Sequence, residues 1–282
     1  MIKQGNGETR FSPLAITDAD FQRLARFIQG NYGIDLSQKR QLIVGRLSTA
    51  IRQRGYDSFS KFVDHLLSTK DQDELTLVLN KLTTNYTFFM REMDHWELFR
   101  TQIIPEIIRR HQRDKTLAIW SAGCSSGEEP YNISMYLFDY LGNQAANWDT
   151  RILATDISAQ ALASAQKGVY ELPDNMPAAW KKKYFRPQQD GSWMVTPQVK
   201  QNVIFRTFNL MDPIQFKRKF DVIFCRNVMI YFDQPTKDAL VRRFYNATLP
   251  GGYFLISYSE NLSANTPYAR IAPATYQKRG ER

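Results

Sequence analysis

The chain has 282 residues, 43% of them hydrophobic and 13% aromatic, which gives room for one large or two ordinary domains and rules out disorder as the main state. Its 37 Lys and Arg against 28 Asp and Glu leave a formal charge of +9, favouring an anionic partner: nucleic acid, a membrane surface or an acidic protein. The absence of any run of about 18 apolar residues excludes a bilayer-spanning helix; Met1–Glu8 lacks the apolar core of a signal peptide, and Cys124 and Cys225 with His65, His95 and His111 show no zinc spacing, so no metal and a cytoplasmic protein with reduced thiols are expected.

The first eighty residues form a run of helical patterns. Thr17 and Asp20 make a capping box for a helix with Phe21, Leu24, Ala25 and Ile28 on one face, stopping at Asn31-Tyr32-Gly33. Ser37 is the expected cap of a second helix, whose stripe is Ile43, Leu47, Ala50 and Ile51 before Gly55. Phe59, Phe62, Val63, Leu66 and Leu67 predict a third helix; Leu75, Val78, Leu79 and Leu82 predict a fourth. Residues 1–84 are therefore expected to be an N-terminal helical domain, with 85–110 as a connector.

From residue 115 the pattern changes. Strands are predicted at 116–120, 151–155, 203–207, 220–224 and 252–257, with helices at 131–141, 161–167 and 236–247 between them. Such alternation predicts an α/β fold, a parallel doubly wound sheet covered on both faces and spanning 111–282. The stretch of about 171–201 breaks the rhythm with Pro173, Pro177, Pro187 and Pro197, a Lys181–Lys183 run and Asp190-Gly191, and is expected to be a hairpin inserted as a small β-subdomain.

Ligands of open parallel sheets bind outside the carboxyl ends of the strands. After the first strand, Gly123 and Gly127 flank a loop of small residues that leads into Glu128 and Glu129. A dinucleotide loop would place a pyrophosphate where these two carboxylates stand, so a cationic ligand such as S-adenosylmethionine fits better; complementing the helix dipole is the plainer alternative. Asp156 ends the second strand, where an acid hydrogen-bonds ribose hydroxyls. Asn209-Leu210 and Arg226-Asn227-Val228 complete the rim, and Tyr231 is the phenol nearest the fourth strand end. The connector, Thr83 to Glu92, interleaves hydroxyls, an amide and Arg91 with aromatics, which is unusual for a plain linker. Between Leu36 and Tyr56 stand Lys39, Arg40, Arg46, Arg52 and Arg54 with only Asp35 and Asp57 flanking, a solvated helix by default and a surface for an acidic partner otherwise.

Four segments together resemble the CheR family of chemoreceptor glutamate O-methyltransferases: Thr84–Arg91, Trp120–Tyr131, Ala154–Ile157 and Phe224–Phe232. The resemblance runs in order over nearly the whole chain. It implies a Rossmann-like class I methyltransferase sheet, the cofactor S-adenosyl-L-methionine with S-adenosyl-L-homocysteine as product, and as substrate glutamate side chains on the cytoplasmic helical domain of chemoreceptors. It further implies that Asn85, Thr87 and Arg91 reach the cofactor, that Glu129 or Glu128 holds its amino acid part and Asp156 its ribose, and that Asn209, Leu210, Asn227 and Val228 line the rest. Arg91 and Tyr231 would lie beside the transferred methyl, and the basic residues from Lys39 to Arg54 would meet receptor acids. The location implied is cytoplasmic, at membrane-bound receptor arrays and without membrane insertion. In some relatives the inserted subdomain docks a tether at the receptor C-terminus; the short turn at Pro187–Gly191 argues against that here.

Two other functions compete. A nucleic-acid methyltransferase would use the same +9, but an adenine N-methylating enzyme carries Asn/Asp-Pro-Pro-Tyr/Phe after its fourth strand, whereas this chain has Arg226-Asn227-Val228-Met229-Ile230-Tyr231. A non-catalytic sensor of S-adenosylmethionine would not require the whole rim from Asn85 to Tyr231.

Overall fold

The computed structural model describes residues 13–280, so Met1–Glu8 lies outside the described residues. The chain divides into two compact units, one running to Asn31 and from Asp35 to Thr84, the other comprising Tyr32–Ile34 and the chain from Asn85 onward.

The first unit is α-helical: α1 (Asp18–Tyr32), α2 (Arg40–Gln53), α3 (Phe59–Thr69) and α4 (Gln72–Leu82). Local chemistry sets the helix starts. Thr17 Oγ1 accepts from the Asp20 N–H at 3.1 Å and donates to Asp20 Oδ2 at 2.7 Å, while Ser58 caps α3 and Asp71 caps α4. Ser37 does not cap α2. Asp35 accepts its N–H at 2.9 Å in a tight turn, and α2 begins three residues later after an uncapped Lys39. The four expected stripes are the buried faces, with Leu24, Ile28, Ile43, Leu47, Ile51, Phe59, Phe62, Leu66 and Val78 fully or nearly fully enclosed.

The second unit opens with α5 (Met93–Leu98), which passes through a π-helical turn at 99–103 into α6 (Ile104–Arg110). Then follow β1 (Ile119–Ala122), α7 (Glu128–Leu141), β2 (Ile152–Asp156), α8 (Ala159–Lys167), β3 (Val169–Tyr170), α9 (Ala178–Tyr184), β4 (Phe185–Pro187), β5 (Trp193–Val195), α10 (Pro197–Gln201), β6 (Val203–Thr207), β7 (Phe220–Phe224), α11 (Gln234–Ala247), β8 (Thr248–Leu255), β9 (Ala269–Ala272) and β10 (Thr275–Gln277). The seven-stranded sheet has the order β6-β2-β1-β7-β8-β10-β9. Its first five strands are parallel, and every residue of β1 and β7 is buried, as strands covered on both faces must be.

The sheet is mixed, not wholly parallel. β10 runs antiparallel to both β8 and β9, because the chain after β8 returns through a loop and a hairpin with no helical crossover. A separate three-stranded antiparallel sheet, β3-β5-β4, forms the insertion. It starts at Val169, two residues before the expected point, and its hairpin turns at Gly191, where φ is +85°.

Strand order reverses between β1 and β7, so the crevice at their carboxyl ends is the ligand position of this topology. Trp120 braces that point from below: its indole N–H donates to Thr155 Oγ1 at 2.9 Å and its ring packs against Phe208, Phe216, Phe220 and Phe244. At the opposite end of the same strands, His111 stands just after α6. Its Nδ1 lies 3.0 Å from Asp114 and its Nε2 2.8 Å from Asp221, whose other oxygen accepts the Ala118 N–H at 3.0 Å. Burial pushes the imidazole pKa down, but the two carboxylates outweigh it and hold the pKa above the ordinary value. The stabilisation is thus complete below about pH 6.5 and is lost as pH rises through the raised folded value. Replacing His111 by Gln is expected to lower the melting temperature more at pH 6 than at pH 9, and an equal loss at both would contradict the pairing.

Candidate active site

The loop after β1 is shaped by close backbone approach. Gly123 has φ +80°, and a Cβ there would come within 2.3 Å of Val228 Cγ2. Gly127, at φ +96°, is the residue before α7, and a Cβ on it would meet Ala165 Cβ at 2.8 Å. The Gly123 and Cys124 N–H groups both donate to Thr155 O, at 2.8 and 2.9 Å, so the loop is stitched to the end of β2. Cys124 and Cys225 are both buried free thiols, and burial pushes each pKa up.

Glu128 and Glu129 begin α7 but point to different partners. Glu128 accepts from Ser126 Oγ at 2.8 Å, and burial raises its pKa against that bond. Glu129 accepts from Ser121 Oγ at 2.8 Å and from Arg226 Nη1 at 3.1 Å, which puts its carboxylate between the ends of β1 and β7. Of the two, Glu129 faces the switch point.

Asp156 ends β2 half-buried. Its two oxygens accept the N–H groups of Ser125 and Ser158, each at 2.8 Å. The Ile157 N–H also faces the carboxylate, so of its roughly four acceptor positions at least one stays open to a ligand hydroxyl. Burial raises the Asp156 pKa, and the main-chain N–H groups partly offset the rise. The connector reaches the same place, where Asn85 Nδ2 donates to Ser158 Oγ at 3.2 Å and Asn85 O accepts from Ser125 Oγ at 3.0 Å. Thr87 follows, half-buried.

Asn209 Oδ1 accepts the Met211 N–H at 3.0 Å in the turn after β6, and Leu210 beside it is buried. After β7, Asn227 adopts φ +61°, Val228 abuts Gly123, and Tyr231 closes a short 3-10 turn, half-buried. Arg91 folds back over its own segment: Nη1 donates to Tyr86 O at 3.0 Å, and the guanidinium carbon lies 6.0 and 5.6 Å from the ring centres of Tyr86 and Phe88.

The contacts with no clear sequence signal are those of Arg226 and Glu92. Arg226, 7% exposed, donates to Glu92 Oε2 at 3.0 Å, to Glu129 Oε2 at 3.1 Å and to Arg91 O at 2.5 Å, with its guanidinium over the Trp96 ring. Glu92 also accepts from Ser257 Oγ at 2.8 Å, and His95 Nδ1 is 3.2 Å away. Burial alone would raise the Glu92 pKa; His95, Arg226 and Ser257 together bring it to about 2. The contribution of Glu92 to stability is therefore present above about pH 4.5 and disappears as pH falls toward 2.

The basic residues of α2 are largely committed within their own unit. Arg40 pairs with Asp18 at 2.5 Å and donates to Ile16 O. Arg46 donates to the carbonyls of Lys81, Leu82 and Thr83 and to Thr84 Oγ1, closing the end of α4. Arg54 lies 3.8 Å from Glu74. Lys39 is exposed, and Arg52 is half-buried.

Residues 85–277 match the family described as CheR methyltransferase, SAM binding domain, and residues 19–83 match the CheR methyltransferase all-alpha domain. The chain belongs to the CheR methyltransferase family. It is 38% identical to the chemotaxis protein methyltransferase of Borreliella burgdorferi over 93% of this chain and 95% of that one. It is 35% identical to the Escherichia coli chemotaxis protein methyltransferase over 89% and 87% of the two chains, and 38% identical to chemotaxis protein methyltransferase 2 of Pseudomonas aeruginosa over 87% of each.

S-Adenosylmethionine is accordingly the cofactor of this CheR methyltransferase, and the cleft suits it. Carboxylates stand at the helix start where a pyrophosphate would need free N–H groups, Asp156 keeps an acceptor position open to a ribose hydroxyl, and Gly123 leaves the room that Val228 needs to close against the loop. The Arg226 cluster is expected to hold this cleft together. Arg226→Met should destabilise the protein by about 3–5 kcal/mol, because two enclosed carboxylates lose their counter-charge; denaturant unfolding with an unchanged midpoint would contradict it.

Proposed function

We propose that this CheR methyltransferase esterifies glutamate side chains on the cytoplasmic helical domain of chemoreceptors, producing glutamyl methyl esters that serve chemotactic adaptation. What supports the reading is the kind of residue it uses. In it Arg91 and Tyr231 are the polar groups offered to an acceptor, while His95 is fully buried, its ring stacked on that of Tyr258 at 4.4 Å. An alcohol or amine acceptor needs a base. A glutamate, with a pKa of about 4.3, is already ionised at neutral pH.

S-Adenosylmethionine supplies an activated methyl group on a sulfonium centre. In this reading Asn85, Thr87, Gly123, Asp156, Asn209, Leu210, Asn227 and Val228 line its pocket, and Glu129 holds the ammonium, with Glu128 behind it. Arg91 orients the incoming carboxylate and Tyr231 limits it on the other side. The protein then contributes mainly alignment, an effect that can be worth about 7–11 kcal/mol. Arg91 must not bind the carboxylate too firmly, since the nucleophile loses charge on the way to the transition state. Its guanidinium is already shared between Tyr86 O and two aromatic faces, which supports a weak, orienting contact.

Clustered acids on a receptor helix suit a protein with a net charge of +9. Lys39, Arg40, Arg46, Arg52 and Arg54 contribute to that field even where they also serve α1 and α4. Recruitment to membrane-bound receptor arrays follows from the substrate, because no helix among the described residues is long and apolar enough to cross a bilayer. The turn between β4 and β5 is confined to 188–192, so engagement through a receptor tether is not part of the proposal.

Incubation with methyl-labelled S-adenosylmethionine and a chemoreceptor cytoplasmic fragment is expected to place base-labile label on the receptor. Arg91, which in this reading also reaches the cofactor, should on replacement by Ala lower kcat by about tenfold or more; intact methyl transfer with only weakened cofactor binding would refute its orienting role. Label appearing on nucleic acid, or no label at all, would refute the proposal.

A further inference from the structure

Glu260 is a buried carboxylate that none of the steps above uses. It lies on the loop after β8 and is 5% exposed. Its Oε2 accepts the main-chain N–H groups of Ser257 at 2.8 Å and Asn227 at 3.2 Å, and the Ile230 N–H also faces the carboxylate. Its Oε1 is buried with no hydrogen-bond partner among the described residues. Enclosing a carboxylate to serve main-chain N–H groups on two loops is costly, and an apolar residue would fill the space without that cost.

What the carboxylate holds is a sharply turned loop. Asn227 sits at φ +61°, the left-handed region that Asn adopts more readily than most residues other than glycine. Its side chain is tied as well, Nδ2 donating to Ser257 Oγ at 2.6 Å. The next residue, Val228, occupies the space that a Cβ on Gly123 would need. Asn227 and Val228 are therefore placed from outside the pocket, by a residue more than thirty positions further along the chain.

We infer that Glu260 is a positioning residue for the cofactor: by accepting main-chain N–H groups from the loops after β7 and β8 together, it fixes Asn227 and Val228 where they close the pocket opposite Gly123. The inference rests on the reading of Asn227 and Val228 as cofactor contacts. It extends that reading to a side chain that itself touches no ligand.

Titration calorimetry with S-adenosylhomocysteine tests it, alongside thermal melting and steady-state kinetics with a receptor fragment. Glu260→Ala is expected to raise the Kd by about tenfold, as lost charge-assisted hydrogen bonds allow, and to raise KM for S-adenosylmethionine more than it lowers kcat. Glu260→Gln keeps a carbonyl acceptor and should restore the Kd to within about threefold of the parent. Should the Ala variant fail to fold, Glu260→Asp decides, because it keeps the charge but withdraws the oxygens by one methylene; a folded Asp variant is expected to bind measurably more weakly. An unchanged Kd in a folded Ala or Asp variant overturns the inference, and so does a lowered melting temperature with unchanged affinity. Asn227→Ala separates the two claims: if it weakens binding while the Glu260 variants do not, only the role of Glu260 fails, and if it too leaves binding unchanged, the reading of the loop itself is wrong.

Discussion

The enclosed charge of Arg226 is what the remaining geometry of the second unit is arranged around. A guanidinium so deeply buried is tolerable only with its hydrogen bonds satisfied, and Glu92, Glu129 and the Arg91 carbonyl satisfy them. Those three partners come from the connector and from the first turn of α7, while Arg226 itself follows β7. One side chain therefore ties the connector to the switch point of the sheet. Two carboxylates facing one guanidinium also leave a surplus of negative charge there, and two further acids, Asp156 at the end of β2 and Glu128 at the start of α7, belong to the adjoining elements. That electrostatic character suits a sulfonium and an ammonium and repels a pyrophosphate.

Close packing sets the shape of the same crevice. Val228 fills the space beside Gly123, Thr155 O takes two N–H groups of the β1 loop, and the Trp120 indole holds Thr155 from beneath. The cleft is thus pre-organised by the fold, with small residues where backbone must approach backbone. Chemistry that depends on alignment instead of proton transfer benefits from such rigidity.

Much of this was legible in the sequence because the central strands are short, mostly apolar segments, with every residue of β1 and β7 buried. β6 and β7 fall at the expected residues, and β1, β2 and β8 lie within a few positions of theirs. The hairpin β9–β10 was not legible: its strands are short, and Ala269–Ala272 is largely exposed. Ser37 looked like a cap but serves a turn closed by Asp35, a choice between two local hydrogen-bonding solutions that composition does not settle. Glu92 gave no signal because its partner lies 134 positions away. The ambiguity between Glu128 and Glu129 has the same origin, since only the three-dimensional positions of Ser121, Ser126 and Arg226 tell the two carboxylates apart. Arg40, Arg46 and Arg54 stand out as basic residues in a stretch without acids, yet that does not reveal that Arg46 also closes the end of α4.

Because Arg226 holds the connector against the end of β7 and Glu129, the affinity of the cofactor site is expected to depend on it. Titration of S-adenosylhomocysteine into the Arg226→Lys variant tests it most directly. Lysine keeps the charge but cannot reach Glu92, Glu129 and the Arg91 carbonyl together, so a folded variant with affinity weakened by about tenfold is expected. Parent-like affinity in that variant would contradict the account.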